Sequence, residues 1–181
     1  MYTREERQQL LRIARDSIAR AVAGESQTPG SVPHPQGRLA EHCGAFVTLR
    51  LNNQLRGCIG YIEAAMPLSD VVAEVAEKAA MEDPRFMPLT PEEAGQVHLE
   101  ISVLSPLRLA RPGDVEVGKH GILLQRGVNR GLLLPQVATE YGWDRETFLD
   151  NTARKAGLPR DAWRDPDARI YLFSAEIIEE E

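Results

Sequence analysis

A cysteine set between glycines is the first place in this sequence to look for chemistry. Leu55-Arg56-Gly57-Cys58-Ile59-Gly60 holds one of only two cysteines in 181 residues. If the stretch is a β-strand, Leu55, Gly57 and Ile59 share one face while Arg56, Cys58 and Gly60 share the other. The Arg56 guanidinium then neighbours the thiol and favours its thiolate. Gly57 and Gly60 let a backbone or a ligand come close without meeting a side chain. Cys58 is on that reading a candidate catalytic nucleophile or redox group. The same residues also fit a small packed hydrophobe beside a bulge or tight crossing, the commoner fate of a single cysteine, and both readings stay open.

Three further clusters could contribute to such a site. Asp83-Pro84-Arg85-Phe86 stops a helical pattern, since proline disfavours helical geometry in the residue before it. Asp83 and Arg85 can pair with each other there, or join the site if the turn faces the cysteine strand. His98 and Glu100 lie on the polar side of an alternating segment whose apolar side is Val97, Leu99, Ile101 and Val103, a spacing that suits an acid/base pair or a solvated sheet face. Gly118-Lys119-His120-Gly121 places a cation and an imidazole between two glycines, which suits an anion or a turn. Four histidines and two cysteines are scattered singly, so no metal centre is expected. No phosphate loop, dinucleotide fingerprint or iron-sulfur cysteine triplet occurs, and no cofactor is expected.

The elements that must position these residues follow from periodicity. Leu10, Leu11, Ala14, Ile18, Ala21 and Val22 mark an amphipathic helix over 4–22. Gly24 to Gln36, with Pro29, Pro33, His34 and Pro35, reads as a long loop. Cys43 to Leu51 and Gln54 to Ile62 form a hairpin about Asn52-Asn53. Pro67 and Ser69 introduce a helix that buries Leu68, Val71, Val72, Val75, Ala76, Ala79 and Ala80. Thr90-Pro91-Glu92-Glu93 is a capping box opening a short helix. Pro106 to Asp114 reads as a loop carrying Arg108 and Arg111. A second hairpin spans Ile122 to Leu134 around Gly127. Asp144 caps a helix that Gly157 ends, Phe148 and Leu149 are core, and Arg169 to Ile178 is a final strand.

Two stretches repeat one order of elements, hairpin, helix, turn, strand. Arg56-Gly57 in the first matches Arg130-Gly131 in the second, and Ala76 to Ala80 matches Ala153 to Gly157 at nearly the same offset. A duplicated unit is expected, with approximate repeats at 40–105 and 115–178 in a single domain over 1–181. No apolar run approaches the ~20 residues of a membrane helix. The charged opening, Met1 to Arg7, is unlike a secretory signal, so a cytosolic location with free thiols is expected. A formal charge of −6, from 21 basic and 27 acidic residues with Glu179 to Glu181 at the end, disfavours nucleic acid.

LRGCIG at 55–60, DPRF at 83–86, ISVLSP at 101–106, GKHG at 118–121, LLLPQVA at 132–138 and KAGL at 155–158 together resemble the AMMECR-type domain, in the expected order over nearly the whole chain. The resemblance implies an α+β fold of two related repeats around one curved, mainly antiparallel sheet. It places a groove between two lobes, lined by Arg56, Gly57, Cys58, Gly60, Asp83, Arg85, Glu100, Lys119, His120 and Gln136. It further implies a component acting with a Memo-type protein and a radical-SAM protein, which would supply any radical chemistry. The alternatives are a stand-alone cysteine-dependent enzyme on a small anionic substrate bound by Arg85, Lys119 and His120, a non-catalytic binding module, or the nucleic-acid role suggested for the family, which the net charge opposes.

Overall fold

Thr3 and Glu6 start the first helix by capping each other: Glu6 N–H donates to Thr3 Oγ1 at 3.2 Å and Thr3 N–H to Glu6 Oε2 at 2.8 Å. A computed structural model describes residues 1–25 and 35–180. Most of the expected proline-rich loop, including Pro29, Pro33 and His34, lies outside the described residues, as does Glu181. The elements in chain order are α1 (Arg4–Val22), β1 (Ala45–Leu51), β2 (Gln54–Tyr61), α2 (Leu68–Met81), α3 (Pro91–Ala94), β3 (His98–Leu104), β4 (Arg108–Ala110), β5 (Gly121–Arg126), β6 (Asn129–Leu133), α4 (Pro135–Glu140), α5 (Arg145–Lys155), β7 (Arg169–Phe173) and β8 (Ala175–Glu179).

The chain divides into two compact units, Met1–Leu104 with Glu176–Glu181 and Ser105–Ala175. In the first, strands run in the order β2-β1-β3-β8, with β1 antiparallel to both β2 and β3. α2 packs on β1 and β2 and is covered in turn by α1. Leu68, Val71, Val72 and Val75 are fully buried, each contributing roughly 1.5–3 kcal/mol. An i,i+4 pair such as Glu74–Lys78 adds only a few tenths of a kcal/mol. The buried stripe, not the surface charge, therefore holds α2. The turn between β1 and β2 places Asn52 and Asn53 at φ 52° and 62°, the left-handed pair that a two-residue hairpin needs.

In the second unit the order is β4-β7-β5-β6, and all three pairings are antiparallel. Phe148, Leu149 and Ala153 of α5 join Ile122, Leu124, Ile170 and Leu172 in a separate core. Asp144 Oδ1 accepts Thr147 N–H at 2.8 Å as the N-cap of α5, and Gly157 ends the helix region at φ 74°.

Both units share one plan. A hairpin's first strand is flanked by its partner and by the strand that follows the helix, β2-β1-β3 in one unit and β6-β5-β7 in the other. A Cβ on Gly57 would sit 2.2 Å from Ala79 O of α2, and one on Gly131 would sit 2.4 Å from Ala156 N after α5. In each unit a glycine on the second hairpin strand lets the C-terminal end of the helix touch the sheet backbone. The matching Arg-Gly pairs of the sequence mark this shared contact.

The strands make two four-stranded sheets where a single curved one was expected. The reason lies at Ser174, whose N–H donates to Ser105 Oγ at 2.9 Å while Ser105 N–H donates to Ser174 O at 2.9 Å. This exchange interrupts the run expected as one final strand, so β7 joins the second sheet and β8 the first. β4, read from sequence as loop, pairs with β7 over three residues, too few to show alternation. α4 also has no counterpart in the sequence reading, because its six residues are shorter than two helical turns.

Candidate functional site

β2 is an edge strand, and the chemistry of Cys58 begins with how that edge is closed. An edge strand leaves alternate N–H and C=O groups without a neighbouring strand. At Cys58 they are taken by side chains of the turn after α2: Asp83 Oδ2 accepts the Cys58 N–H at 2.9 Å, and Arg85 Nη2 donates to the Cys58 carbonyl at 3.3 Å. Since these backbone groups point off the edge, Cys58 and its partner Thr48 on β1 form a non-hydrogen-bonded pair, in which side chains lie closest. Accordingly Thr48 Oγ1 donates to Cys58 Sγ at 3.3 Å.

Asp83 is the anchor of this arrangement. It is buried, and its carboxylate receives Arg85 Nε at 2.9 Å, Arg85 Nη2 at 2.7 Å and the Arg85 backbone N–H at 3.1 Å besides the Cys58 N–H. The Arg85 guanidinium, followed by these backbone donors, holds the Asp83 carboxyl down at about 2. Arg85 keeps 54% of its side chain exposed and interacts electrostatically with Cys58. Half-buried Cys58 thus has a hydroxyl donor on its sulfur and a fixed, solvent-reachable cation on its carbonyl.

Arg56 is not that cation. A β-bulge opposite Leu49/Arg50 shifts the register, Leu49 pairing with Gly57 and Arg50 with Leu55, so Arg56 drops out of the alternation. Its guanidinium grips Glu93 through Nε at 3.0 Å and Nη2 at 2.9 Å, and donates to Met87 O at 2.8 Å. It is a staple for the 86–93 segment. Arg56→Ala is expected to lower stability by about 1–2 kcal/mol through these lost charged bonds, read by urea denaturation, while leaving the Cys58 labelling rate unchanged.

The flanking glycines are packing devices rather than a ligand opening. Gly57 faces α2, and a Cβ on Gly60 would lie 2.3 Å from the Phe46 ring. Glu100 is half-buried and stands across β1 from Cys58, both being register partners of Thr48. His98 is exposed near Glu179, but Ser102 on the same side of β3 is fully buried, so that face is not simply solvated. Thr48 was missed by sequence reading, because a threonine in a strand carries no signal of its own.

Lys119, His120 and Gln136 belong to the second unit. Lys119 Nζ pairs with both Glu116 oxygens at 3.2 Å, and His120 Nδ1 accepts the Glu116 N–H at 3.1 Å. Gln136 is half-buried in the first turn of α4. Cys43 and Cys58 are both free thiols, and burial pushes the Cys43 thiol up. Among the described residues no group of three or more His, Cys, Asp or Glu could hold a metal, and no helix is long and apolar enough to cross a membrane.

Residues 11–178 match the AMMECR1 family model. A protein of Methanothermobacter thermautotrophicus is 45% identical over 188 aligned residues, covering 99% of this chain and 96% of that one. A protein of Thermococcus kodakarensis is 43% identical, covering 95% and 89% of the two chains. The crystal structure of an uncharacterised protein from Pyrococcus horikoshii superposes with a TM-score of 0.87 at 41% identity, covering 95% of this chain and 90% of that one. Whole-length agreement in both sequence and fold makes this chain a member of the AMMECR1 family.

Proposed function

We propose that this protein contributes Cys58 as a nucleophilic thiol acting on a small anionic group, as the thiol-bearing component of a cytosolic system whose other members are a Memo-type and a radical-SAM protein. The chemical part rests on one observation: Arg85, fixed by buried Asp83 yet half-exposed, stands at the cysteine that Thr48 also addresses. The cation serves twice, stabilising charge on sulfur and drawing an anionic reactant to it. The partners rest on family membership.

The anion preference is tested by comparing two alkylating agents of the same mechanism. In each the sulfur forms a C–S bond and iodide leaves, but iodoacetate is anionic and iodoacetamide neutral. The iodoacetate-to-iodoacetamide rate ratio at Cys58 is expected to exceed that of glutathione by about fivefold, the order of ~1 kcal/mol of attraction to a part-exposed cation. Arg85→Gln should bring it back to the glutathione value. A ratio equal to that of glutathione in the wild type contradicts the anion reading. The system reading is checked by co-purification with Memo-type and radical-SAM proteins, lost in Arg85→Gln and kept in Arg160→Ala; retention by neither variant, or no association in the wild type, contradicts it.

A further inference from the structure

The second unit carries a pocket of its own. Arg108, Lys119 and His120 line it together with Ser105 and Ser174, above Leu172 and Phe173, and its volume is about 310 Å³. Pairing of β4 with β7 sets Arg108 opposite Leu172 and so at this pocket. Among the described residues no hydrogen bond or ion pair fixes the Arg108 guanidinium, which is exposed. Lys119 holds only the exposed carboxylate of Glu116, three residues earlier, a pairing that water and salt weaken easily.

His120 adds a neutral donor. Because Nδ1 accepts the Glu116 N–H, the ring proton resides on Nε2, which is thereby left as an N–H donor. Ser174 adds an exposed hydroxyl, and Ser105 Oγ is already engaged by the Ser174 N–H. The lining contains two cations, an imidazole N–H and two hydroxyls, but no carboxylate.

We propose that this pocket binds a small phosphate monoester, gripped by Arg108, Lys119 and His120. A carboxylate offers two oxygens and one negative charge; a phosphate monoester offers three free oxygens and nearly two charges, so it can engage all three donors at once. The volume lies at the lower end of ligand cavities, which suits a compact monoester. Glu116 competes with the ligand for Lys119.

The full-length protein is titrated calorimetrically at fixed ionic strength with inorganic phosphate, phenyl phosphate, acetate and a short single-stranded oligonucleotide. Phosphate and phenyl phosphate are expected to bind with Kd of the order of 1 mM or below, at least about tenfold tighter than acetate. Arg108→Ala should weaken phenyl phosphate roughly tenfold, the loss of one charge-assisted contact. Glu116→Gln should tighten it severalfold by freeing Lys119, a gain that damage to the fold does not produce. Arg160→Ala should change nothing. The proposal is overturned if phosphate gives no saturable binding, if acetate binds equally, if Arg108→Ala binds like the wild type, or if the oligonucleotide binds more tightly than phenyl phosphate. These readouts do not involve Cys58, so this site and the thiol site stand or fall separately.

Discussion

Replacing Gly57 by alanine is expected to lower the unfolding free energy by about 3 kcal/mol, the upper part of the range for overpacking a well-filled interior. The new methyl would meet Ala79 O at 2.2 Å, and that atom is helix backbone rather than the flexible end of a side chain. Relief requires α2 to move off β2, and α2 carries the stripe Leu68, Val71, Val72, Val75, Ala76 and Ala79 into the core of the first unit. Gly131→Ala should act in the same direction through Ala156 N at 2.4 Å, because the second unit uses the same contact. Gly113→Ala, with no atom within 4 Å of the added carbon, should stay within about 0.5 kcal/mol of the wild type. Urea denaturation of the three variants checks this. Equal, small effects at all three positions would refute the role given to Gly57 and Gly131.

Asp83→Asn should cost about 2 kcal/mol at pH 7, since the Arg85 pair and its charged hydrogen bonds go while an amide oxygen remains to accept the Cys58 N–H. The pH dependence has a defined sign. Folding lowers the Asp83 carboxyl from 3.8 to about 2, so its stabilisation is fully present above the unfolded value. It is lost as pH falls from about 4 through 2. The stability gap between wild type and Asp83→Asn is therefore expected to be constant from pH 7 to 5 and to close between pH 4 and 2. A gap that does not narrow in that window would mean that the carboxylate is not held by Arg85.

Where the sequence speaks through local pattern, it speaks plainly. The 3.6-residue spacing of α1 and α2, the capping boxes at Thr3 and Thr90, the paired asparagines of the first hairpin and the Asp144 cap all act within a few residues, and the structure has them where the pattern puts them. The Arg-Gly echo was legible for the same reason, and its meaning, a helix end lying against a strand, needed coordinates. What failed was register. A single extra residue in a strand reverses the face of everything on one side of it, and Arg56, the residue expected beside the thiol, is that extra residue.

Long-range partners were equally out of reach. Arg85 stands 27 residues from Cys58, and nothing in DPRF distinguishes a turn that closes a sheet edge from one that only stops a helix. The split of 169–178 into β7 and β8 depends on Ser105, 69 residues before Ser174. Likewise the donor character of His120 follows from a backbone contact with Glu116 that the residue types alone do not declare.

The proposed nucleophilic role of Cys58 depends on Arg85 rather than Arg56. The direct measurement is the second-order rate of iodoacetamide labelling at Cys58 near pH 7.5, resolved from Cys43 by peptide mass spectrometry, in wild type, Arg85→Gln and Arg56→Gln. Cys58 should react about tenfold faster than Cys43, whose thiol burial pushes up. Arg85→Gln should slow Cys58 severalfold, and Arg56→Gln should leave it unchanged. A Cys58 rate that does not respond to Arg85→Gln, or that falls only in Arg56→Gln, would contradict the account.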